Sequence, residues 1–238
     1  MQQQKKIVLR PILLLLGIDT SIKKGVLCLG DRKRILTKQI LAPHSSSKEL
    51  LPLLDTLIKE KGLKTEDLEG IVVSLGPGSF TGLRIGLSLA KSLAFILEIP
   101  LVGVPTLNTW AASTPAKGII CPLYRAYGNK LYAGFYKKDE EKLLGLSKYL
   151  FLPLEEIIGQ TLEKFSPRKV TFLTLRECKD LASEIKKIKN SSLFFLEETS
   201  LARALLGLGE EKIKRGEMDE VSTLVPLYIS SPNVTHSV

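Results

Sequence analysis

The sequence predicts an α/β protein of two lobes, each a mixed sheet with helices, and two observations support this prediction. Short aliphatic segments, typical of buried strands, alternate with longer amphipathic segments along the 238 residues. The pattern loosens after Trp110, so we place the boundary between the lobes within residues 111–118. We therefore expect a basic extension at 1–11, a first lobe at 12–112 and a second lobe at 113–238. Whether the last segment returns to the first lobe stays open.

The first lobe begins with a continuous aliphatic run that ends in Asp19, as expected of a strand buried on both faces. Turn residues between the next two apolar segments predict an antiparallel meander. Ser46 and Glu49 have the spacing of a capping box at the start of a helix. The predicted elements are strands at Ile12–Ile18, Gly25–Leu29 and Ile35–Ile40, a helix from Ser46 to about Gly62, a strand at Ile71–Leu75, a helix at Leu83–Leu97 and a strand at Leu101–Val104. This order is typical of the actin-like, ribonuclease-H-like fold.

Strands also recur between helices in the second half, which predicts a second α/β lobe. No repeat of the first lobe is visible at the level of residues, and a repeat at the level of the fold stays open. The predicted elements are strands at Ile119–Leu123 and Leu131–Tyr136, a helix at Leu154–Phe165, a strand at Val170–Leu175, a helix at Glu177–Ile188, a strand at Leu193–Leu196 and a helix at Leu201–Ile213.

Composition argues against several classes of protein. Hydrophobic residues make up 44% and charged residues 25%, which is typical of a globular domain with a substantial core. Cys28, Cys121 and Cys178 lie far apart, which argues against a disulfide framework and indicates a reducing compartment. His44 and His236 are the two histidines and cannot form an HxxxH pair, so we expect no metal. We interpret His44 as a structural residue at a helix entry.

The net charge of +9 is concentrated most densely at Arg32–Arg34. Such a surface is compatible with weak tRNA contact, but an ordinary lysine-rich surface is favoured because aromatic residues are not interleaved with the basic ones. No apolar run approaches the roughly 18 residues of a membrane span. The run Ile12–Leu16 is soon followed by Asp19 and lacks a signal-peptide cleavage site. We expect a cytoplasmic protein without membrane contact.

A glycine-rich loop joins the fourth predicted strand to the second predicted helix. Free backbone N–H groups at a helix start favour an anion, and Asp19 at the end of a strand could hold a magnesium–nucleotide complex. The loop has neither the Walker A ending nor the spacing of the dinucleotide fingerprint. The favoured alternative is a tight loop, with Asp19 capping a turn. We therefore expect that the protein binds no cofactor. The weak candidates for phosphate contact are Asp19, Gly76, Gly78, Ser79, Thr81 and Gly82.

The first two predicted helices carry more apolar surface than one face of a sheet can cover. Small residues recur every fourth position along the second helix and permit close approach of another backbone. Coverage by the lobe's own sheet is one interpretation, and coverage by a partner subunit is the other. We predict a partner surface that a free chain covers by self-association. The predicted interface residues are Leu50, Leu53, Leu54, Leu57, Gly82, Leu83, Gly86, Leu87, Ala90 and Ala94.

Some of these segments together form a family pattern. They are Leu16–Ser21, His44-Ser45, Leu50–Pro52, Gly76–Gly86, Ala90–Ala94 and Ile99–Val104. They resemble the TsaB (YeaZ) family, the dimerization subunit of the bacterial complex that makes tRNA threonylcarbamoyladenosine. The resemblance covers roughly Leu13 to Ala112, and its GPGSFTGLRIG run is very specific for this family and its catalytic relatives.

The resemblance implies an actin-like ASKHA fold and a role in modifying the adenosine beside the tRNA anticodon. The catalytic paralogue TsaD carries an HxxxH pair, which this chain lacks. The resemblance therefore implies a non-catalytic scaffold without its own metal or catalytic residues. Its partners would be a TsaD-like subunit bound through the first two helices and a TsaE-like ATPase, with a homodimer when the partner is absent.

The second half departs from the family. Tyr124-Arg125-Ala126 stands where an Asp-Ala-Arg segment is usual, Lys130-Leu131-Tyr132 where Glu-Val-Tyr is usual, and Ser230 replaces the arginine of the Pro-x-Tyr-Leu-Arg ending. No role is carried over to these positions, and nothing supports the older description of such chains as glycoprotease-like enzymes. Two other functions stay open: a nucleotide-dependent phosphotransferase that uses Asp19 and the glycine-rich loop, and a tRNA-binding module that acts alone.

Overall fold

The computed structural model describes residues 13–40, 47–140 and 142–229. The predicted extension at 1–11, the capping residue Ser46 and both histidines lie outside these ranges. The first lobe is a five-stranded sheet in the order β3-β2-β1-β4-β5. Its elements are β1 (Leu15–Asp19), β2 (Val26–Gly30), β3 (Ile35–Ile40), α1 (Ser47–Lys59), β4 (Gly70–Gly76), α2 (Phe80–Leu97), β5 (Leu101–Pro105) and α3 (Thr106–Ser113).

The second lobe is built around a sheet in the order β10-β7-β6-β11-β12, with β8 paired to β6 and β9 paired to β8. Its strands are β6 (Gly118–Arg125), β7 (Lys130–Ala133), β8 (Tyr136–Asp139), β9 (Lys142–Gly145), β10 (Leu150–Pro153), β11 (Val170–Thr174) and β12 (Ser191–Phe195). Its helices are α4 (Leu154–Phe165) and α5 (Leu181–Lys186), and α6 (Glu198–Lys214) follows the last strand.

The two sheets repeat one topology. In the first, β1 pairs antiparallel with β2 and parallel with β4, while β2–β3 is antiparallel and β4–β5 is parallel. In the second, β6 pairs antiparallel with β7 and parallel with β11, while β7–β10 is antiparallel and β11–β12 is parallel. The predicted actin-like α/β fold is therefore confirmed, and the duplication is one of topology.

Alternation along β1 explains how the first sheet is covered on both faces. Leu16 and Ile18 point to the core formed with α1 and α2, whereas Leu15 points to the opposite face. That opposite face packs against Leu205 and Leu206 of α6. The last helix therefore returns from the second sheet to the first lobe. Because both faces are covered, every residue of β1 and β2 is buried, and the removal of their apolar side chains from water is a major contribution to stability.

Residues 217–229, which we call the C-terminal strap, follow α6 and run back along the first lobe. The Asp219 N–H donates to Leu101 O of β5 at 2.9 Å, and the Leu227 N–H donates to Leu75 O of β4 at 2.7 Å. Val221 and Leu224 pack against the core beneath α2. The strap thus ties the end of the chain to residues more than a hundred positions earlier.

Helix α2 differs from one expectation. Its 18 residues have a mean hydropathy of 1.4 and, by length and composition alone, are long and apolar enough to cross a membrane. The sequence pattern, in contrast, predicts no apolar segment of that length. In the structure α2 contacts β4, β1 and β5, with Leu83, Leu87 and Ala90 buried. This packing accounts for the buried residues of the helix, whereas Phe95 and Ile96 near its end remain exposed.

Several predicted elements need correction. Helix α2 begins at Phe80, three positions before the predicted start, because Ser79 caps it. The segment predicted as one strand at Leu131–Tyr136 is two strands, β7 and β8, which both pair with β6 but have β10 and β9, respectively, as their other neighbour. The helix predicted at Glu177–Ile188 is a short 3-10 turn at Arg176–Cys178 followed by α5. The strands β9 and β10 and the helix α3 were not predicted.

Candidate functional site

Asp19 lies at the carboxyl end of β1. Its carboxylate is buried and accepts hydrogen bonds from the Ser21 N–H at 2.9 Å and the Ser21 hydroxyl at 2.6 Å. Burial raises the pKa of Asp19 above its ordinary value, and the two bonds from Ser21 partly oppose that shift. The carboxylate thus caps the turn that follows β1, as the favoured interpretation of the sequence requires.

The glycine-rich loop closes on that same turn. The Ser79 N–H donates to Ser21 O at 2.7 Å, and the Thr20 hydroxyl donates to Gly82 O at 2.7 Å. The Gly82 N–H donates to the Ser79 hydroxyl at 3.2 Å, which completes the cap of α2. The backbone donors of Ser79 and Gly82, which would otherwise suit an anion, thus already have acceptors in the chain.

The loop glycines are required by this contact. A Cβ on Gly78 would lie 2.3 Å from Ser21 O, and one on Gly82 would lie 2.1 Å from Thr20 O. Four of the candidate phosphate residues, Asp19, Gly78, Ser79 and Gly82, are therefore brought together around the end of β1, but the glycines accommodate the chain's own backbone. Gly76 instead lies against Leu83 and Leu227, and Thr81 is exposed. This geometry favours the tight-loop interpretation over a phosphate cradle.

Aromatic side chains fill the space between the lobes beside this turn. Trp110 of α3 meets Tyr124 of β6 edge-to-face with ring centroids 5.4 Å apart, and Tyr132 lies 6.4 Å from Tyr124 and 5.2 Å from Phe151. Ile22 and Ile229 belong to the same cluster. Burial raises the pKa of Tyr124 above its ordinary value. The cluster joins the two lobes with apolar and aromatic contacts.

Tyrosines and a lysine from the second lobe hold α3 in place. Asn108 Oδ1 accepts hydrogen bonds from the Tyr136 hydroxyl at 2.8 Å and the Tyr149 hydroxyl at 3.0 Å. The Lys138 ammonium donates to the carbonyls of Ala112 and Thr114 near the end of α3. A cation at this end is favourable because the carbonyls there lack helical partners.

The outer face of α1 and α2 forms a groove of about 550 Å³. Its lining is apolar or small except for one arginine. The lining residues are Leu50, Leu51, Arg84, Ile85, Ser88, Leu89 and Ser92. Phe95 and Ile96 at the end of α2 are 75% and 72% exposed, and Leu51 is 54% exposed. Large apolar side chains are therefore presented to solvent on both helices.

Most predicted interface residues lie on the opposite face of these helices, and Leu50, at the base of the groove, is itself only 2% exposed. The structure places them in the chain's own core because that face packs against the first sheet. The buried ones are Leu50, Leu54, Leu57, Leu83, Gly86, Leu87, Ala90 and Ala94, whereas Leu53 and Gly82 are half-buried. The surface that the folded chain offers to a partner is formed instead by Leu51, Arg84, Phe95 and Ile96. That a partner binds there stays a prediction.

One ring cluster at the start of α2 was missed from the sequence. The Arg84 guanidinium lies 3.9 Å from the centroid of the Phe80 ring, and its Nε donates to the Tyr228 hydroxyl at 3.2 Å. The Phe80 and Tyr228 rings are 5.0 Å apart. Because Tyr228 lies 144 positions from Arg84, no local pattern indicates this contact.

Within residues 13–40, 47–140 and 142–229, no group of three or more His, Cys, Asp or Glu side chains is placed to hold a metal ion. Two residues that depart from the family pattern, Arg125 and Lys130, have structural partners, whereas Ser230 lies outside the described residues. Arg125 forms an ion pair with Asp180, and Lys130 lies over the Phe151 ring at 4.8 Å.

Comparison with known proteins adds to this geometry. The family model described as "TsaD: tRNA N6-adenosine threonylcarbamoyltransferase" matches residues 35–232, well over half of the chain. The Bacillus subtilis "tRNA threonylcarbamoyladenosine biosynthesis protein TsaB" is 36% identical over 125 residues, which are 52% of this chain and 55% of the relative. Its Escherichia coli counterpart is 27% identical over 160 residues, 66% of this chain and 69% of the relative. The chain belongs to the TsaB/YeaZ family.

The solved structure "YeaZ from Pseudomonas aeruginosa" shares the fold of this family member with a TM-score of 0.74 and 23% identity. The match covers 91% of this chain and 99% of that one. The match to the Bacillus TsaB protein spans only about half of either chain. The predicted TsaB/YeaZ resemblance is thus confirmed, and the conserved architecture extends beyond the sequence match.

Proposed function

We propose that the chain is a non-catalytic subunit that supports synthesis of threonylcarbamoyladenosine in tRNA by binding a TsaD-like catalytic paralogue. The observation that carries this proposal is the exposed apolar surface of α1 and α2, where Leu51, Phe95 and Ile96 face solvent. Apolar patches of this kind on a folded chain mark interaction sites. The assignment to tRNA threonylcarbamoyladenosine synthesis is based on the names of the Bacillus and Escherichia relatives.

The surroundings of Asp19 support the proposal that the subunit has no catalytic activity of its own. Asp19 accepts hydrogen bonds from the Ser21 N–H and the Ser21 hydroxyl, and the glycine-rich loop packs against the turn after β1. A phosphotransferase would need these groups to face a nucleotide. In the proposed complex the TsaD-like subunit carries out catalysis, and a TsaE-like ATPase is a further partner. Because the substrate is tRNA, we propose that the complex is cytoplasmic.

Association with the catalytic subunit is the direct test. The purified chain is mixed with the TsaD-like subunit of the same organism, and the complex is measured by sedimentation velocity. Phe95→Glu should weaken the complex at least tenfold, because a carboxylate replaces an apolar contact and must be desolvated. Leu144→Glu is the matched control, since Leu144 is 61% exposed on β9 in the other lobe.

Other outcomes favour the other functions. If the wild-type chain alone turns over Mg-ATP, the phosphotransferase interpretation is supported and the non-catalytic proposal fails. If the chain binds tRNA tightly without partners and shows no association with the catalytic subunit, it acts as a binding module. If Phe95→Glu and Leu144→Glu bind the subunit as the wild type does, the interface lies elsewhere.

A further inference from the structure

Arg84 belongs both to the groove on α1 and α2 and to the ring cluster of the C-terminal strap. Its side chain lines the groove, while its guanidinium stacks on Phe80 and its Nε donates to Tyr228. Among the residues that the structure describes, Tyr228 is the one hydrogen-bond acceptor that this side chain contacts. A guanidinium has five N–H donors. Four of them therefore remain for another acceptor.

The strap holds Tyr228 in place through contacts along its length. The Asp219 carboxylate accepts from the Gly103 N–H at 2.8 Å, and the Lys91 ammonium donates to the carbonyls of Ser222 and Leu224 at 3.3 and 3.2 Å. The Leu227 N–H then pairs with Leu75 O. The residue before Tyr228 is thus bonded to the end of β4, which fixes where the tyrosine ring meets Phe80.

This arrangement orders Arg84 before any partner arrives. A free arginine side chain loses rotamer entropy when it is fixed. Stacking on Phe80 and the bond to Tyr228 restrict the rotamers of the side chain in the free protein. A preordered guanidinium can pair with a carboxylate at a lower entropic cost.

The rest of the groove determines which ligand fits. None of the described residues that line it is acidic, and Leu51, Ile85 and Leu89 contribute apolar surface. A partner that covers this groove would bury the Arg84 charge without compensation unless the partner brings an anion. Apolar walls around one fixed cation suit an amphipathic helix that carries a carboxylate better than they suit a phosphate backbone.

We propose that Arg84 is the ionic anchor of the interface and pairs with a carboxylate on a helix of the TsaD-like subunit. Tyr228 acts as a positioning residue that aims the guanidinium. The inference rests on the proposed function, and it identifies the chemistry that the partner must present at one point of the interface.

The experiment measures the dissociation constant between the full-length chain and the TsaD-like subunit by calorimetry at low and high salt. Arg84→Ala should weaken binding at least tenfold and remove much of its salt dependence. Arg84→Glu should weaken binding further, because the introduced carboxylate would repel the carboxylate of the partner. Tyr228→Phe keeps the ring but loses the acceptor, so it should weaken binding by about threefold with an unchanged melting temperature. Arg203→Ala, an exposed arginine on α6, is the control and should leave both affinity and salt dependence unchanged.

The outcomes separate this inference from the proposed function. If the wild type binds the subunit and Arg84→Ala shows the same affinity and salt dependence, the anchor is overturned while the proposed function stands. If Arg84→Ala and Arg84→Glu weaken binding equally, Arg84 contributes through packing and not through its charge, and the proposed pairing with a carboxylate is overturned. If the wild type binds tRNA but not the subunit, and Arg84→Ala loses that binding, the ligand is a phosphate and both proposals fail. If the wild type binds neither, both fail as well.

Discussion

Gly86 of α2 lies against Thr20 at the end of β1, so closely that a Cβ on Gly86 would stand 2.1 Å from the Thr20 hydroxyl oxygen. One turn earlier, a Cβ on Gly82 would stand 2.1 Å from Thr20 O. The small residues of α2 were expected to admit another backbone. In the structure the two glycines instead allow close contact between α2 and Thr20, in the turn that follows β1 of the same chain. Each glycine in a helix costs up to about 1 kcal/mol relative to alanine, and close packing offsets that cost here.

Gly82→Ala should lower the free energy of unfolding by about 2–3 kcal/mol, because the added methyl group meets a backbone oxygen that cannot rotate away. Chemical denaturation monitored by circular dichroism measures the change. Gly159→Ala is the matched control on α4, where a Cβ would meet nothing within 4 Å. That variant should be neutral or more stable by up to about 1 kcal/mol, since alanine is the better helix former. Equal stability of both variants would contradict the proposed packing of α2 against β1.

Local sequence pattern predicted the elements that have a clear period or composition. The strands β1, β4 and β11 are short aliphatic runs, and α4 was predicted with its observed ends. Helix α3 was missed because it has only eight residues, and most of its side chains, Trp110 among them, are buried between neighbouring elements. A helix buried on several sides shows little amphipathic period.

The candidate site was less predictable because its decisive contacts are distant in sequence. Periodicity indicated an apolar arc on α1 and α2, but it cannot tell which part of that arc faces the chain's own sheet. Leu54 and Leu51 are both leucines on α1, and only the fold shows that Leu54 is buried whereas Leu51 is exposed. The Arg84–Tyr228 bond, likewise, depends on a strap that returns from the far end of the chain.

Asp19→Asn should change how stability depends on pH. The pKa of Asp19 is raised by burial above its ordinary value of 3.8, so the folded state binds its proton more tightly than the unfolded state does. The contribution of Asp19 to stability is therefore fully present below the unfolded pKa and is lost as pH rises through the folded pKa. Asparagine keeps an oxygen acceptor for Ser21 and does not ionise. The variant should gain stability relative to the wild type between acidic and neutral pH.

Denaturation of both proteins at a series of pH values from about 4 to 7 measures this difference. The Asp19→Asn advantage should grow as pH rises. A variant that is less stable than the wild type at pH 7 by a constant amount across the series would contradict the raised pKa. It would also indicate that the Ser21 bonds require a charged carboxylate.

Asp219→Ala tests how firmly the C-terminal strap is attached. The Asp219 carboxylate accepts from the Gly103 N–H at 2.8 Å and from Lys212 Nζ at 3.3 Å, and all three groups are partly shielded from water. Charge-assisted bonds of this kind contribute about 1.5–3 kcal/mol, so the variant should lose stability in that range. Faster amide exchange at Leu227 should accompany the loss, because the strap would detach more often.

Asp180→Ala is the corresponding control. Asp180 pairs with Arg125 at the surface, where the aspartate side chain is 62% exposed. Exposed pairs contribute at most about 1 kcal/mol. If both alanine variants change stability by the same small amount, the strap is held mainly by its apolar residues.

Leu54→Glu and Leu51→Glu should separate the two faces of α1. Leu54 is 2% exposed in the core beneath the helix, so the variant loses about 1.5–3 kcal/mol of apolar burial and must also bury a carboxylate. It should lose about 4 kcal/mol or more and fail to fold at ordinary temperatures. Leu51 lines the outer groove and is largely exposed, so Leu51→Glu should change stability by no more than about 0.5 kcal/mol.

The second readout is association. Leu51→Glu should keep the melting temperature of the wild type but lose self-association and binding of the TsaD-like subunit, since the carboxylate would be desolvated against an apolar partner. Sedimentation velocity of the free chain and of the mixture measures both. The result that contradicts the prediction is a folded Leu51→Glu chain that self-associates and binds the subunit normally, because the groove between α1 and α2 would then be no part of either interface. A stable Leu54→Glu chain would instead mean that α1 can lift from the sheet, which would make the buried leucines available to a partner as the sequence first indicated.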